Sequence, residues 1–270
     1  KANGTARFLA GGTDLLVQIK SGIRKPNLVI DIKKIVELNS INEISDGEFE
    51  IGASVSGANL NRNSKFAKLW PGVLEAFRLI GSEQIQGRAS LGGNLCNGSP
   101  AGDSVPALIA AGCKAVIAGP KGRKDVPIEN FHLGPGKTVL ENGEMLVSLK
   151  FPKRVSNSAD AYLRMTPRTE MDIAVVGCGV NISLENDICT HARVSLGAVA
   201  PTPLLIKEAS DIMVGSKLDD DTLNRVSKMC MDACNPINDN RGTIDYRTKV
   251  AGVLFKRATK LATDRIGGNK

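Results

Sequence analysis

The sequence has few aromatic residues and no long hydrophobic run. Aromatic side chains make up 4% of its 270 residues, so the stacking platforms on which single-stranded nucleic acids bind are scarce. The 35 lysines and arginines, which contribute to a formal net charge of +7, are spread along the chain rather than gathered into one basic segment. No apolar stretch approaches the roughly 20 residues that a transmembrane helix needs. These features disfavour nucleic-acid binding and a membrane span.

The cysteine motifs of metal-binding and disulfide-rich proteins are also missing. The six cysteines form no CxxC pair; they are Cys96, Cys113, Cys178, Cys189, Cys230 and Cys234. A chain of this length can bury a core without disulfide bonds, so we expect reduced thiols in a cytoplasmic protein. The spacing matches neither a zinc site nor an iron–sulfur cluster, and we predict no metal in this chain.

No pair of residues in the sequence has the pattern of a nucleophile and its base. The two histidines, His132 and His191, lie far along the chain from the glycine-rich segments described below. We expect both to be surface or packing residues, and we assign no catalytic side chain. A protein that uses a bound redox cofactor needs no catalytic side chain, because the cofactor supplies the chemistry and the protein supplies binding and orientation.

Hydrophobic patterning divides the chain into two domains, with a boundary near residues 152–158. The first begins with a predicted strand at "ARFLAGG", a helix at "TDLLVQIKSG" and a strand at "PNLVIDI". After the boundary, strand-like runs with a turn at residues 185–187 indicate an antiparallel meander, and two helices follow. The last helix is predicted to present one apolar stripe, formed by Val250, Leu254, Ala258 and Leu261. This second part is therefore expected to be α+β.

Two glycine-rich segments carry the chemical signal. The first, "LAGGTDL" at residues 9–15, follows a predicted strand and precedes a helix. The second is "SLGGN" at residues 90–94, which we interpret as a loop ahead of the helix at "SVPALIAAG". Adjacent glycines let backbone amides approach an anion without obstruction by a Cβ atom. Two such segments suit a ligand with two phosphates.

Common phosphate-binding motifs are absent from both segments. Neither contains GxGxxG or the GK[ST] of a P-loop, which disfavours a Rossmann-type domain and a P-loop NTPase. Asp14 and Asp103 each precede a predicted helix, so each could cap that helix or contact a ligand. With these two folds disfavoured, the remaining interpretation is a diphosphate cofactor bound by a different scaffold.

Five motifs occur in order along the chain: "AGGTDLL", "SLGGNLCNGSPAGDSVPAL", "RTEMDIAVVG", "VSLGAVAPTP" and "DYRTKVAGVLFKRA". In these motifs and their order the chain resembles the FAD-binding medium subunit of the molybdenum hydroxylases, the family of xanthine dehydrogenase, carbon monoxide dehydrogenase and aldehyde oxidoreductase. The resemblance implies an α+β fold. Residues 1–153 would form an FAD-binding domain of the vanillyl-alcohol-oxidase (PCMH) type, with subdomains at about 1–55 and 56–153. Residues 158–270 would form a C-terminal domain of the CO dehydrogenase flavoprotein type, an antiparallel sheet with helices.

The same resemblance implies which residues contact FAD. Both glycine-rich segments correspond to backbone that wraps the pyrophosphate. Asp103 corresponds to a carboxylate that bonds ribose or ribityl hydroxyls, and Ile173 to a residue packed against the flavin ring. The full set is Arg7, Phe8, Leu9, Ala10, Gly11, Gly12, Thr13, Asp14, Ile80, Ser90, Leu91, Gly92, Gly93, Asn94, Asp103, Leu146, Arg164 and Ile173. Met171 stands where certain relatives have an acid, and Cys96 is expected to be a small packing residue.

The implied function is electron transfer within a multi-subunit enzyme. Electrons would pass from [2Fe–2S] clusters of a small subunit through FAD to NAD, a quinone or oxygen, while a large subunit holds molybdopterin, in a dimer of heterotrimers. Two alternatives remain. One is a self-contained flavin reductase similar to the enolpyruvyl reductases, which would need its own proton donor and substrate pocket. The other is a scaffold subunit that has lost FAD, against which the intact glycines argue. Since the chain begins at Lys1 just before a predicted strand, we expect a further N-terminal piece.

Overall fold

The computed structural model describes residues 5–268, and these begin with a strand–helix–strand unit. Strand β1 (Ala6–Leu9), helix α1 (Leu15–Lys20) and strand β2 (Leu28–Asp31) confirm the sequence prediction. The two strands pair in parallel, as a helical crossover between them requires. Helix α1 contains no buried residue. The expectation of a preceding segment concerns chain outside the described residues.

A five-stranded antiparallel sheet with helices forms the body of the N-terminal half. The sheet consists of β3 (Ile41–Ser45), β4 (Glu48–Gly52), β5 (Lys114–Gly119), β6 (Gly122–Pro127) and β9 (Met145–Phe151). Two short strands, β7 (His132–Gly134) and β8 (Lys137–Thr138), lie between β6 and β9 in the sequence. The sheet order is β3-β4-β9-β5-β6, and β7 pairs with β8 apart from it. The helices are α2 (Gly57–Arg62), α3 (Ser64–Leu69), α4 (Pro71–Arg78), α5 (Glu83–Gln86), α6 (Leu91–Asn97) and α7 (Ser104–Ala110).

Aromatic packing joins these helices to the sheet. The ring of Phe66, on α3, meets Phe49 and Phe151 edge-on, with centroids 5.4 and 5.0 Å apart. Such T-shaped pairs align the positive edge of one ring with the negative face of the other. The Asn63 side chain caps α3 by accepting from the Phe66 amide at 2.9 Å. Asn63 therefore fixes the start of α3, and Phe66, three residues later, anchors the same helix in the core.

The C-terminal half is an antiparallel sheet covered by helices. Strands β10 (Ser158–Met165), β11 (Val176–Glu185), β12 (Ile188–Gly197) and β13 (Leu204–Leu205) lie in that order. The predicted turn is confirmed: Asn186 and Asp187, with φ of 50° and 64°, connect β11 to β12. Helices α8 (Ala209–Met213), α9 (Asp220–Asp232) and α10 (Ile244–Gly267) follow. Of the predicted α10 stripe, Leu254 and Ala258 are buried, and Val250 and Leu261 are partly buried. The α+β class is confirmed.

Helix α7 packs against the C-terminal sheet and so links the two halves. A Cβ on Gly179 of β11 would lie 2.7 Å from the Pro106 carbonyl oxygen, so only glycine allows this approach. Arg193 of β12 donates to the Ile109 carbonyl and pairs with Glu129, each at 3.0 Å.

Among the described residues, no helix has both the length and the apolar character to cross a membrane.

Candidate functional site

A cleft opens between the two glycine-rich segments. Both segments contribute to its walls, together with residues from the five-stranded sheet and its connections. Thirteen of the residues predicted from the sequence line it: Arg7, Phe8, Ala10, Gly11, Gly12, Thr13, Asp14, Ile80, Ser90, Gly92, Gly93, Asn94 and Leu146. The fold therefore brings together segments that are some 80 residues apart in the sequence.

Five of the predicted residues are not among those that line the cleft: Leu9, Leu91, Asp103, Arg164 and Ile173. The Leu91 side chain is buried in the N-terminal core. Asp103 and Arg164 are buried between the two halves of the chain. Ile173 lies on an exposed loop.

Sequence patterning missed twelve cleft residues: Leu15, Gln18, Arg24, Ile32, Ala53, Ser54, Ala89, Cys96, Asn97, Gly136, Leu140 and Met145. Most reach the cleft through sheet register and loop packing, which no local motif signals. Helical spacing could have found two of them. Gln18 lies four residues after Asp14, and Asn97 lies four after Gly93, and residues four apart share one face of a helix.

The first glycine-rich segment presents unpaired backbone amides. Gly12 has a φ of +81°, a conformation that residues other than glycine rarely adopt. A Cβ on Gly11 would lie 2.0 Å from the Arg88 carbonyl oxygen, so the two backbones pack directly. Within the described chain, the amides of residues 11–14 have no hydrogen-bond acceptor. Unpaired amides at a cleft wall are suited to bind an anion.

The second segment is a helix, not the loop that we predicted. Its glycines lie in the first turn of α6, where the Ser90 hydroxyl accepts from the Gly93 amide at 3.0 Å. This cap stabilises a helix start that two glycines would otherwise weaken. A Cβ on Gly92 would lie 2.4 Å from the Ala53 carbonyl oxygen, so Gly92 packs against the backbone that directly follows β4. Gly93 instead is exposed at the cleft.

Asn94 joins this helix to the next one. Its side-chain oxygen accepts from the hydroxyl and the amide of Ser104, at 2.7 and 3.3 Å.

Neither Asp14 nor Asp103 caps a helix with its side chain. Of the two roles considered for these carboxylates, helix capping is therefore excluded.

Asp103 forms a buried ion pair across the two halves of the chain. Its carboxylate accepts from Arg164 Nη1 at 2.8 Å and from the Tyr162 hydroxyl at 3.0 Å. Burial raises the pKa of Asp103 to about 6, although Arg164 and Tyr162 oppose this shift. Arg164 Nη1 also donates to the Asp172 carbonyl at 3.3 Å, so the ion pair supports the loop at residues 166–175.

That loop exposes two apolar side chains. Met171, with a φ of 54°, and Ile173 are 55% and 49% exposed. The Asp172 carboxylate accepts from the amides of Arg168 and Ile173, at 3.2 and 2.8 Å. The loop is thus hydrogen-bonded within itself while its two apolar side chains face solvent.

The two histidines lie on different strands, His132 on β7 and His191 on β12. His132 is half-buried, and its Nε2–H donates to the Leu95 carbonyl of α6 at 2.7 Å. His191 is exposed.

All six cysteines are free thiols, four of them buried. Cys96, predicted to be a packing residue, is exposed and lines the cleft, because it lies on the outer face of α6. Within residues 5–268, no three His, Cys, Asp or Glu side chains are grouped to hold a metal.

Two family models match consecutive parts of the chain. The FAD-binding domain in molybdopterin dehydrogenase matches residues 1–154, and the C-terminal domain of CO dehydrogenase flavoprotein matches residues 161–262. The cleft lies entirely within the first of these two matched regions.

Individual relatives agree with the family models over nearly the whole chain. The xanthine dehydrogenase FAD-binding subunit of Escherichia coli O157:H7 is 31% identical, covering 98% of this chain and 91% of its own. The carbon monoxide dehydrogenase medium chain of Hydrogenophaga pseudoflava is 32% identical, with coverage of 96% and 90%. A solved carbon monoxide dehydrogenase from Hydrogenophaga pseudoflava superposes with a TM-score of 0.93 at 32% identity, covering 98% of this chain and 91% of that one. The chain therefore belongs to the family of FAD-binding subunits of the molybdopterin dehydrogenases.

Proposed function

We propose that this chain binds FAD in the cleft between the glycine-rich segments and transfers electrons within a multi-subunit molybdenum hydroxylase. The observation that carries the proposal is the row of unpaired amides at residues 11–14, facing the same cleft as Gly93. Two phosphates bring negative charge and several acceptor oxygens, which such amides can bind. The residues present thus fit the cofactor.

The cleft residues would divide the binding task. The amides of residues 11–14 would hold the pyrophosphate, and the missing side chain at Gly93 would leave room for it. Ile80, Leu140 and Leu146 supply apolar walls, against which aromatic ring systems pack. Asp103, Arg164 and Ile173 remain predictions from the family resemblance, since they do not line the cleft.

When bound, FAD supplies the redox chemistry, and the chain supplies binding, orientation and the exclusion of water. Electrons would arrive from [2Fe–2S] clusters on a small partner chain and leave to NAD, a quinone or oxygen. A large partner chain would hold molybdopterin, in a dimer of heterotrimers. The names of two relatives, "FAD-binding subunit" and "medium chain", support a role as one component of a larger enzyme. The six free cysteines support a reducing location, and we propose the cytoplasm.

FAD titration of the purified full chain tests the binding step. We expect a yellow 1:1 complex, with flavin fluorescence changing on binding and a higher melting temperature in the presence of FAD, because a ligand bound only by the folded state stabilises it. Adenosine diphosphate should compete, since it carries the same pyrophosphate. A chain that stays colourless and does not respond to FAD contradicts the proposal.

Native mass spectrometry of the enzyme isolated from its source tests the partners. We expect this chain together with a larger molybdopterin-binding chain and a smaller [2Fe–2S] chain. A chain that is isolated alone and reduces a substrate by itself would instead support the self-contained reductase.

A further inference from the structure

Three polar side chains connect the two walls of the cleft. Gln18 Nε2 donates to Asn97 Oδ1 at 3.0 Å, and Asn97 Nδ2 donates to Asp14 Oδ1 at 3.3 Å. Asp14 directly precedes α1 and Gln18 lies in its middle, whereas Asn97 ends α6. All three line the cleft. The two glycine-rich segments are thus joined through Asn97, the central residue of the three.

Helix α1 packs only partly against the rest of the chain. It contains no buried residue, and strand β2 next to it is exposed along its whole length. An apolar core normally fixes the position of a helix, since most helical stability comes from packing of its apolar face. Leu15 and Ile19 are only half-buried, so we expect polar contacts to contribute much of what positions α1. Arg88 adds one more, a long bond of 3.4 Å from Nε to the Gly11 carbonyl.

We propose that Asn97 is a positioning residue, which holds α1 and α6 at the separation where both segments face one ligand. This inference rests on the proposed FAD-binding function and adds a role for Asn97 and Gln18. A site that is already arranged before the ligand arrives loses less conformational freedom on binding, so affinity rises without a new contact to the ligand. Asn97 would act on FAD through the position of α1.

A double-mutant cycle separates positioning from direct contact. We expect Asn97→Ala and Gln18→Ala each to weaken FAD binding by about tenfold, and the double variant to bind no more weakly than Asn97→Ala alone, because residues of one network are not additive. Additive losses would mean that each side chain contacts FAD separately and would overturn the inference. Single variants that bind like the wild type would overturn it too. Asn59→Ala, an exposed asparagine on α2 away from the cleft, is the matched control.

Variants of Asp14 provide a rescue experiment. Asp14→Asn keeps an oxygen that accepts from Asn97 and removes a negative charge near the pyrophosphate. We expect it to bind FAD at least as tightly as the wild type, whereas Asp14→Ala weakens binding by about tenfold. Weaker binding by Asp14→Asn would show that the carboxylate itself holds the ligand and would contradict the positioning role.

Hydrogen exchange gives a readout that needs no FAD. In the FAD-free chain, Asn97→Ala should speed amide exchange in α1 at least severalfold over the wild type, while α4, buried in the core, exchanges unchanged. Unchanged exchange in α1 would overturn the inference even if FAD binding were weakened. Failure of the wild type to bind FAD would refute the proposed function, and the exchange result would still report on α1.

Discussion

Replacing Gly93 by leucine is expected to abolish FAD binding while leaving the chain folded. Gly93 is exposed where α6 faces the cleft, so a leucine side chain there would occupy the proposed pyrophosphate position. Outside its own helix backbone, a Cβ on Gly93 would meet the Ser90 hydroxyl at 3.1 Å, and a hydroxyl can shift. Leucine favours a helix over glycine by up to about 1 kcal/mol, so stability should be kept. We expect the FAD dissociation constant to rise by at least about 100-fold, or about 2.7 kcal/mol.

Fluorescence titration with FAD measures this loss, and circular dichroism with thermal unfolding checks the fold. Gly267→Leu is the matched control, because Gly267 ends α10 with no atom within 4 Å of the added Cβ position. The control should bind FAD like the wild type. If Gly93→Leu kept its affinity, the ligand would have to bind elsewhere.

Replacing Asp103 by alanine is expected to cost the chain about 3–5 kcal/mol of unfolding free energy at pH 7, because a buried charge is left without its partner. The Arg164 side chain is 3% exposed and lies 2.8 Å from the Asp103 carboxylate. The Tyr162 hydroxyl also loses its acceptor. Urea unfolding followed by circular dichroism measures the change. A cost within about 0.5 kcal/mol, the range of ordinary surface substitutions, would contradict the expected penalty of leaving Arg164 buried without a partner.

Asp103→Asn tests the ionisation of this group. The pKa of Asp103 is raised by burial from 3.8 to about 6, so between these values the folded chain holds a proton that the unfolded chain has released. The resulting stabilisation is fully present below pH 3.8 and is lost as the pH rises through about 6, by up to about 3 kcal/mol. Asparagine does not titrate. We therefore expect the wild type to lose stability relative to Asp103→Asn as the pH rises from 4 to 7, and a constant difference would contradict the raised pKa.

Local signals in the sequence were enough to predict much of the fold. The strand–helix–strand unit around the first glycine-rich segment follows from apolar spacing and a glycine stop. The turn at Asn186 and Asp187 follows from residues that tolerate positive φ. The five family motifs, in order along the chain, predict that the cofactor is FAD. These features depend on residues that are neighbours in the sequence.

The rest depends on contacts that no local pattern encodes. Gly92 and Gly93 disfavour a helix, and α6 forms because the Ser90 cap and packing on Ala53 override that preference. The pairing of Asp103 with Arg164 joins residues from different halves of the chain. The link from Gln18 to Asn97 likewise exists only once α1 and α6 are placed side by side. Single-sequence patterns do not fix such distances.

A structure of the chain determined with FAD tests the central claim most directly. We expect the pyrophosphate to lie against the amides of residues 11–14, with Gly93 on the opposite wall and α1 and α6 still joined through Asn97. FAD bound at another surface, or a cleft that stays empty while FAD is bound, would contradict it.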